Sequence, residues 1–529
     1  MHKGISIAAM VAMLAQGPAS AIPPEQRQQQ GGQTALCRQP AALPRLAPED
    51  QHQYDEQRPP RPAPMLRSAA KSREDSAVDA PPPPPSASSP AYAEGEEEGA
   101  DVVVTARRVE EPAMDVPVAV SAAGYDEIGS SSADKRAASE APDGSRIMPP
   151  PPKLYPHRRP PQPQPGQLTA GEHDDLLNPE LYADYVRRSE LAQWIPGLPS
   201  LDTQRVLTVT VKDEAGRPVP FATVELACAD GSRLRLSTMA DGTVSFFPDL
   251  DRLGRKVRLR TGGEEWRDVT LASRRGGQRV DFTVERQAPS VRKLDLMLAI
   301  DTTGSMGDEI RYLQSELAAI LDALRARHRG LDLRVGFVFY KDLGDDYVTA
   351  TVPLGHDFSA AQGALRQHWA GGGGDYPEAM DQAMIRAAEQ AWRPDAVKSL
   401  LLVADAPPHD ENVALTWRAT EHLRAQRVHI VPVAASGVAD KAEYVMRAMA
   451  AATQSRYTFL TDDSGIGNPH AAPAIDCYLV TRLDRLLTRV IDSQLSGRRI
   501  EPEDQEVIRQ VGKYDNGRCV IPRGHLQQG

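Results

Sequence analysis

Asp301, Thr303 and Ser305 stand at alternate positions in Asp301-Thr302-Thr303-Gly304-Ser305. One carboxylate and two hydroxyls in so short a stretch make an all-oxygen donor set. Hard divalent cations such as Mg²⁺ and Ca²⁺ prefer oxygen ligands. The plainer alternative is a polar turn in which Asp301 only caps a helix. Elsewhere the chain has no G-x-S-x-G, H-E-x-x-H or G-x-x-x-x-G-K-[ST] motif and no zinc-type C-x-x-C pair.

The elements around the motif say how it is held. Leu294–Ile300 is an apolar run broken only by Asp295, the pattern of a strand buried on both faces of a parallel sheet. In open α/β sheets ligands bind beyond the carboxyl ends of the strands, which is where Asp301 falls. Ile310, Leu313, Leu317, Ile320, Leu321 and Leu324 give helical spacing over 308–328. Leu331–Tyr340 reads as a second strand, Val348–Leu354 as an antiparallel edge strand, and Ser359–Trp369 as a helix with Ser359 as its N-cap. Strands over Lys398–Val403 and Arg427–Ala435, a helix over Ala439–Thr453, a final strand Tyr457–Leu460 and a closing helix Tyr478–Leu495 follow. Strands alternating with helices over 290–495 predict a doubly wound, Rossmann-like α/β domain.

The pentad resembles the D-x-[ST]-x-S signature of von Willebrand factor type A domains, where it nucleates a metal-ion-dependent adhesion site. The resemblance covers 290–495. It implies one divalent cation, Mg²⁺ or Ca²⁺, on Asp301, Thr303 and Ser305, and a protein partner whose acidic side chain completes the coordination. The family carries a Thr ligand on a glycine-rich loop. Here that loop is Gly371-Gly372-Gly373-Gly374-Asp375-Tyr376-Pro377-Glu378 and has no Thr. Asp375 is the candidate substitute, or else the N-cap of the helix running to Trp392. An added carboxylate would neutralise more of the cation's charge and weaken its pull on a partner's acid. Asp405, in Ala404-Asp405-Ala406-Pro407-Pro408-His409, matches the third loop of the family site, where an acid holds a metal-bound water. His409 reads as a solvated loop residue.

The rest of the 529 residues is organised around this domain. Net charge is -11, which argues against a broad nucleic-acid footprint. Residues 1–21 read as a secretory signal peptide, with Lys3, an apolar stretch from Ile5 to Leu14, and Ala19-Ser20-Ala21 as the cleavage site. Residues 22–167 are rich in Pro, Gln, Ser and Glu and predict a disordered tail. Within it, Asp101–Arg108 and Asp115–Val120 have strand character, and 101–120 resembles the TonB box and plug entry of outer-membrane receptors, implying a TonB-like partner by β-augmentation. Residues 168–200 read as a helical connector, with a helical run from Asn178 to Trp194. Short alternating strands over 201–288, with turns at Asp213–Gly216 and Asp241-Gly242, predict a small antiparallel β-sandwich that resembles carboxypeptidase-regulatory-like modules and serves as a spacer or binding unit. Residues 496–529 form a C-terminal tail.

Four cysteines in an exported chain allow disulfides. Cys477 and Cys519 flank the closing helix and are expected to pair, Cys228 reads as a strand residue, and Cys37 lies in the tail. The functional expectation is a non-enzymatic, metal-dependent interaction or adhesion protein of the cell envelope, periplasmic or at the surface. A second reading is an envelope assembly or transport-coupling factor acting through the TonB-box-like segment. A metal-dependent hydrolase is the third class, disfavoured by the scarcity of His ligands.

Overall fold

In the computed structural model the described residues are 37, 39–49, 164 and 166–520, apart from 200, 273–274, 309 and 467–469. The signal-peptide and TonB-box-like readings, over 1–21 and 101–120, lie outside them.

The described chain opens with β1 (Thr169–His173), α1 (Pro179–Ser189) and α2 (Leu191–Trp194). Pro179 sits in the first turn of α1, where its missing N–H has no helical partner to lose. Then come β2 (Leu207–Asp213), β3 (Thr223–Cys228), β4 (Arg233–Ser237), β5 (Thr243–Phe246), β6 (Lys256–Thr261), β7 (Arg267–Thr270) and β8 (Gln278–Val284). They form two sheets, ordered β5-β2-β8 and β4-β3-β6-β7, over a common core that includes Val209, Val211, Leu226 and Leu259. One pair departs from the antiparallel expectation: β2 and β8 run parallel, because the chain passes through the other sheet between them.

The α/β part contains β9 (Lys293–Asp301), α3 (Ile310–Arg327), β10 (Asp332–Tyr340), β11 (Thr349–Gly355), α4 (Phe358–Gln367), α5 (Met380–Ala388), β12 (Val397–Ala404), α6 (Val413–Ala425), β13 (Val428–Ala434), α7 (Asp440–Ala452) and β14 (Tyr457–Thr461). It ends with β15 (Tyr478–Arg482), α8 (Leu483–Ser496) and β16 (Arg509–Val511). The sheet has nine strands, ordered β11-β10-β9-β12-β13-β14-β1-β15-β16. From β10 to β14 neighbours are parallel; β11 adds antiparallel at one edge. The chain leaves β9 for β10 on one side and returns to β12 on the other, so a topological switch lies at the end of β9.

All of β9 from Leu294 to Asp301 is buried, as is all of β12. Asp295 is tolerated there because two guanidinium groups answer it. Arg334 donates to both its carboxylate oxygens, at 2.9 and 2.6 Å, and Arg393 adds its backbone N–H and side chain at 2.8 Å.

Several expectations are corrected. Residues 168–200 are not simply a connector, because β1 fills the gap between β14 and β15, antiparallel to both. Every residue of β1 is buried, including Glu172 and His173. Gly171 fits because a Cβ there would stand 2.4 Å from the ring of Phe459. Burial pushes Glu172 toward its neutral form, but Arg456 at 2.6 Å and Arg489 at 2.8 Å outweigh it and hold the carboxyl well below the usual range. Tyr457–Leu460 is not the final strand, and Tyr478–Arg482 is strand where helix was expected. The sheet therefore extends past 495 to Val511. Helix α4 is capped by Asp357, which accepts from Ala360 N–H at 2.9 Å, and not by Ser359.

The start of the tail is also more ordered than its composition suggests. Cys37 is buried and bonded to Cys228, with Cα atoms 5.8 Å apart. Leu43 and Leu46 pack on the main core, and Glu49 accepts from the Thr351 N–H and hydroxyl at 2.9 and 2.7 Å on edge strand β11. Cys477 and Cys519 pair as expected.

The β module is welded to the α/β part. Phe247 is fully buried within the larger core. Arg424 of α6 bridges to both carboxylate oxygens of Asp251, at 2.7 and 2.9 Å, and to the Ser245 carbonyl at 2.8 Å.

Glu172→Ala is expected to lower stability by roughly 3–5 kcal/mol, because it leaves Arg456 and Arg489 buried without their counter-charge. Urea denaturation of the full chain measures this, and a loss below about 1 kcal/mol would mean that β1 is not held by these pairs.

Candidate functional site

The carboxyl ends of β9, β10 and β12 bring their loops together. Asp301, the last residue of β9, is fully buried. Its Oδ1 accepts from the Thr303 N–H at 2.9 Å and the Thr303 hydroxyl at 2.7 Å. The Thr303 and Ser305 hydroxyls lie 3.2 Å apart, and Ser305 is exposed. The predicted triad is thus a compact oxygen cluster that opens to solvent at Ser305.

The glycine-rich loop clamps this turn through its backbone. Gly371 N–H donates to the Thr302 carbonyl and Gly304 N–H to the Gly372 carbonyl, both at 3.0 Å. Gly372 and Gly373 have φ of +81° and +75°, and a Cβ on Gly372 would meet the Asp345 carboxylate at 2.5 Å. Glycine is therefore required there by both backbone and space. Gly373 N–H donates to both Asp345 oxygens, at 3.1 and 2.9 Å.

Asp375 and the acid three residues after it occupy different surroundings on this loop. Asp375 is exposed, and α5 begins only at Met380 with Ala379 as its N-cap, so Asp375 does not cap that helix. Tyr376 and Pro377 turn the chain inward, and Glu378 is the acid that enters the cluster. It is buried, and its N–H is fixed to the Pro407 carbonyl at 3.0 Å. Asp405 is buried at the end of β12. His409 is not a free loop residue: its ring meets Asp342 at 2.7 Å. Asp342 N–H in turn donates to Asp345 at 3.1 Å.

Charge is crowded here. Burial, then the neighbouring Asp405, pushes Asp301 up to about 7. Burial, followed by Asp301, Asp342, Asp345 and Asp405, pushes Glu378 up to about 9. Glu378 Oε2 is buried with no hydrogen-bond partner among the described residues. Asp301 Oδ2 and the Tyr340 hydroxyl are also buried without a hydrogen bond of ordinary geometry, although each is close enough to shift the other's titration. Lys341, on the same loop as Asp342, is committed to Asp346 at 2.8 Å. The arrangement suits a hard cation in its donor chemistry. Among the described residues no three carboxylates, imidazoles or thiols converge as a ready-made cage, so hydroxyls and water would complete any coordination.

Sequence reasoning missed Glu378, Asp342 and Asp345. The last two were signalled by the same rule that found Asp301, since Asp342-Leu343-Gly344-Asp345-Asp346 begins two residues after the end of strand β10. Glu378 was signalled only as a second acid in the glycine loop.

Residues 295–468 match the von Willebrand factor A domain family, and this part of the chain is a VWA domain. A segment of 119 residues is 30% identical to the alpha-protein kinase vwkA of Dictyostelium discoideum, covering 22% of this chain and 19% of the relative. Among solved structures, the pilus adhesin SpaC of Lactobacillus rhamnosus GG in its open conformation aligns with 14% identity and a TM-score of 0.29, over 39% of this chain and 30% of the adhesin. The conserved hypothetical protein BatB of Bacteroides thetaiotaomicron aligns with 12% identity and a TM-score of 0.26, over 38% of this chain and 98% of BatB. Structural similarity at that level bears on neither activity nor partners.

In chelator, the stability of the full chain is expected to fall as pH rises from about 4.5 to about 9, the interval between the ordinary and the shifted ionisation of Glu378. The folded form keeps a proton on Glu378 that the unfolded chain has already released. Asp301 adds to the same slope up to about 7. Glu378→Gln should flatten the dependence in thermal melts across that range. An unchanged slope would show that the Glu378 carboxyl is not crowded by its neighbours.

Proposed function

We propose that the VWA domain is a protein-interaction module that engages an acidic side chain of its partner through a divalent cation, Mg²⁺ or Ca²⁺. One observation carries this reading. Six large apolar side chains are exposed among the described residues, and three of them, Leu343, Trp369 and Tyr376, stand on the two loops that border the acidic cluster. Exposed apolar groups around a polar centre mark contact surfaces, and aromatic residues dominate their energetics. Tyr376 is held in place, accepting from the Ala439 N–H at 2.8 Å and donating to the Gly437 carbonyl at 3.0 Å.

Asp301, Thr303 and Ser305 would hold the cation, with Glu378 and Asp405 reaching it through water. The unpartnered Glu378 Oε2 and the raised ionisation of both acids support this, since a cation supplies the missing counter-charge. The bound cation would supply an open coordination position for the partner's carboxylate. Asp301 and Thr303 fix the turn, while the glycine loop keeps bulk away from it. The role is binding and not catalysis. The two disulfides fit an oxidising compartment, and an exported protein is part of the proposal. No helix among the described residues is long and apolar enough to cross a membrane.

Ca²⁺ or Mg²⁺ is expected to raise the melting temperature of the full chain, with about 2.7 kcal/mol of stabilisation at a hundredfold excess over the dissociation constant. Asp301→Ala should abolish the response, Glu378→Ala should weaken it, and Asp375→Ala should leave it unchanged. Trp369→Ala should keep the metal response but lose chelator-sensitive partner capture. Calorimetry that finds no metal binding to the wild type would remove the cation from the reading. Capture that is equal in wild type and Trp369→Ala would remove the surface.

A further inference from the structure

The acidic cluster is negative on its outside as well as within. On the loops around it and at the start of α7, the described acids that reach solvent are Asp345, Asp346, Asp375, Asp410, Glu411 and Asp440. Lys341 takes up Asp346 at 2.8 Å, and Lys441 takes up Asp410. The other four have no ion pair among the described residues; Asp345 accepts main-chain N–H groups, from Gly373 and Asp342. Arg311, in the first turn of α3, is exposed and also unpaired, so it offsets one of them.

Strand order sets where these acids stand. In the sheet, β10 and β13 flank β9 and β12 on opposite sides. Asp345 is on the loop after β10, and Asp440 opens the helix after β13. The glycine-rich loop joins the two sides. Gly373 donates to Asp345 at one end, and the Tyr376 hydroxyl accepts from the Ala439 N–H, beside Asp440, at the other. Asp375 lies between them in the same loop, and the Lys441–Asp410 pair fastens the loop that carries Glu411 to α7.

Inside the cluster, Glu378 is 3% exposed and its Oε2 has no hydrogen-bond partner among the described residues. Buried polar atoms are normally answered by protein, water or ligand. A divalent cation would bring two positive charges, fewer than Asp301, Glu378 and Asp405 carry when all are ionised. The outer acids would then stay uncompensated. An incoming carboxylate would meet a cation already largely neutralised, inside a rim of its own sign. A second acid beside it would face like charge, which weakens binding and slows encounter.

We infer that the partner segment carries a single carboxylate flanked by lysines or arginines, with an apolar side chain for the Trp369 and Tyr376 surface. This rests on the proposed cation site and adds the charge of what that site accepts. The carboxylate would complete the coordination. The flanking cations would answer Asp345 and Asp375 on one side, and Asp440 and Glu411 on the other. The same four groups would turn away acidic tracts.

The test is fluorescence anisotropy on the full chain, with Mg²⁺ and Ca²⁺ in separate series and three labelled hexapeptides. The first has one aspartate and one phenylalanine between two pairs of lysines. The second replaces the lysines with glutamates, and the third replaces the aspartate of the first with asparagine. The lysine peptide should bind at least about tenfold more tightly than the glutamate peptide, and raising the salt to about 0.5 M should shrink the gap. The asparagine peptide should lose the chelator-sensitive part of the binding. Asp375→Asn combined with Asp440→Asn, both exposed, should weaken the lysine peptide about fivefold and strengthen the glutamate peptide. The metal-induced rise in melting temperature should persist in that double variant. Equal, chelator-sensitive binding of the lysine and glutamate peptides would overturn the inference and leave the cation site standing. So would an indifferent double variant, or no binding by any peptide while the metal response is intact. Lysine-peptide binding that survives both chelator and the asparagine replacement would also overturn it, and would count against the cation site itself.

Discussion

Negative charge buried at the end of β9 is the constraint around which the carboxyl edge of the sheet is built. Asp301 can be fully buried only because Thr303 turns its N–H and hydroxyl back onto it. Glu378 and Asp405 are buried beside it, and Lys341, on the loop after β10, is paired with Asp346. Evidently the loops are made for holding these acids in place and not for neutralising them: Gly371 and Gly372 grip the turn by main-chain bonds, and His409 and Asp345 organise the outer acids. A site so arranged favours a bound counter-charge, the property from which the proposed cation chemistry follows.

At the opposite edge several buried acids are held in ion pairs. Glu172 lies between Arg456 and Arg489, Asp295 between Arg334 and Arg393, and Asp175 against Arg447 at 2.7 Å. Breaking any of these would leave an uncompensated charge in a low-dielectric interior. Because β1 comes from before the β module and β9 from after it, the module is enclosed within the sheet's own connectivity. Arg424 and Phe247 join the module to the α/β part.

The two sheet edges are handled differently. At the β11 edge, Glu49 takes up the Thr351 N–H, and Arg386 answers both Glu49 and the Ala47 carbonyl. An exposed strand edge is a template for unwanted pairing, and a covering segment removes it. That segment is fastened at its start by the Cys37–Cys228 disulfide, and Leu43 and Leu46 pack it onto the main core.

What the sequence by itself determined is the part governed by local pattern. Buried parallel strands read as unbroken apolar runs, and helices as apolar residues at helical spacing, so β9, β10, β12, β13 and the helices α3, α4, α5 and α7 were legible, whereas α6 was not read. So was the Asp301–Thr303–Ser305 cluster, because its three donors lie on one turn and need no distant partner to meet. Tertiary structure alone decided what depends on distant segments. The strand nature of Thr169–His173, with a Glu and a His in five residues, rests on Arg456 and Arg489 from the far end of the chain. Counting along the glycine loop pointed to Asp375, whereas the turn at Tyr376-Pro377 and the bond to the Pro407 carbonyl select Glu378. The Cys37–Cys228 pairing joins residues 191 apart in sequence, and no local pattern encodes a contact at that distance.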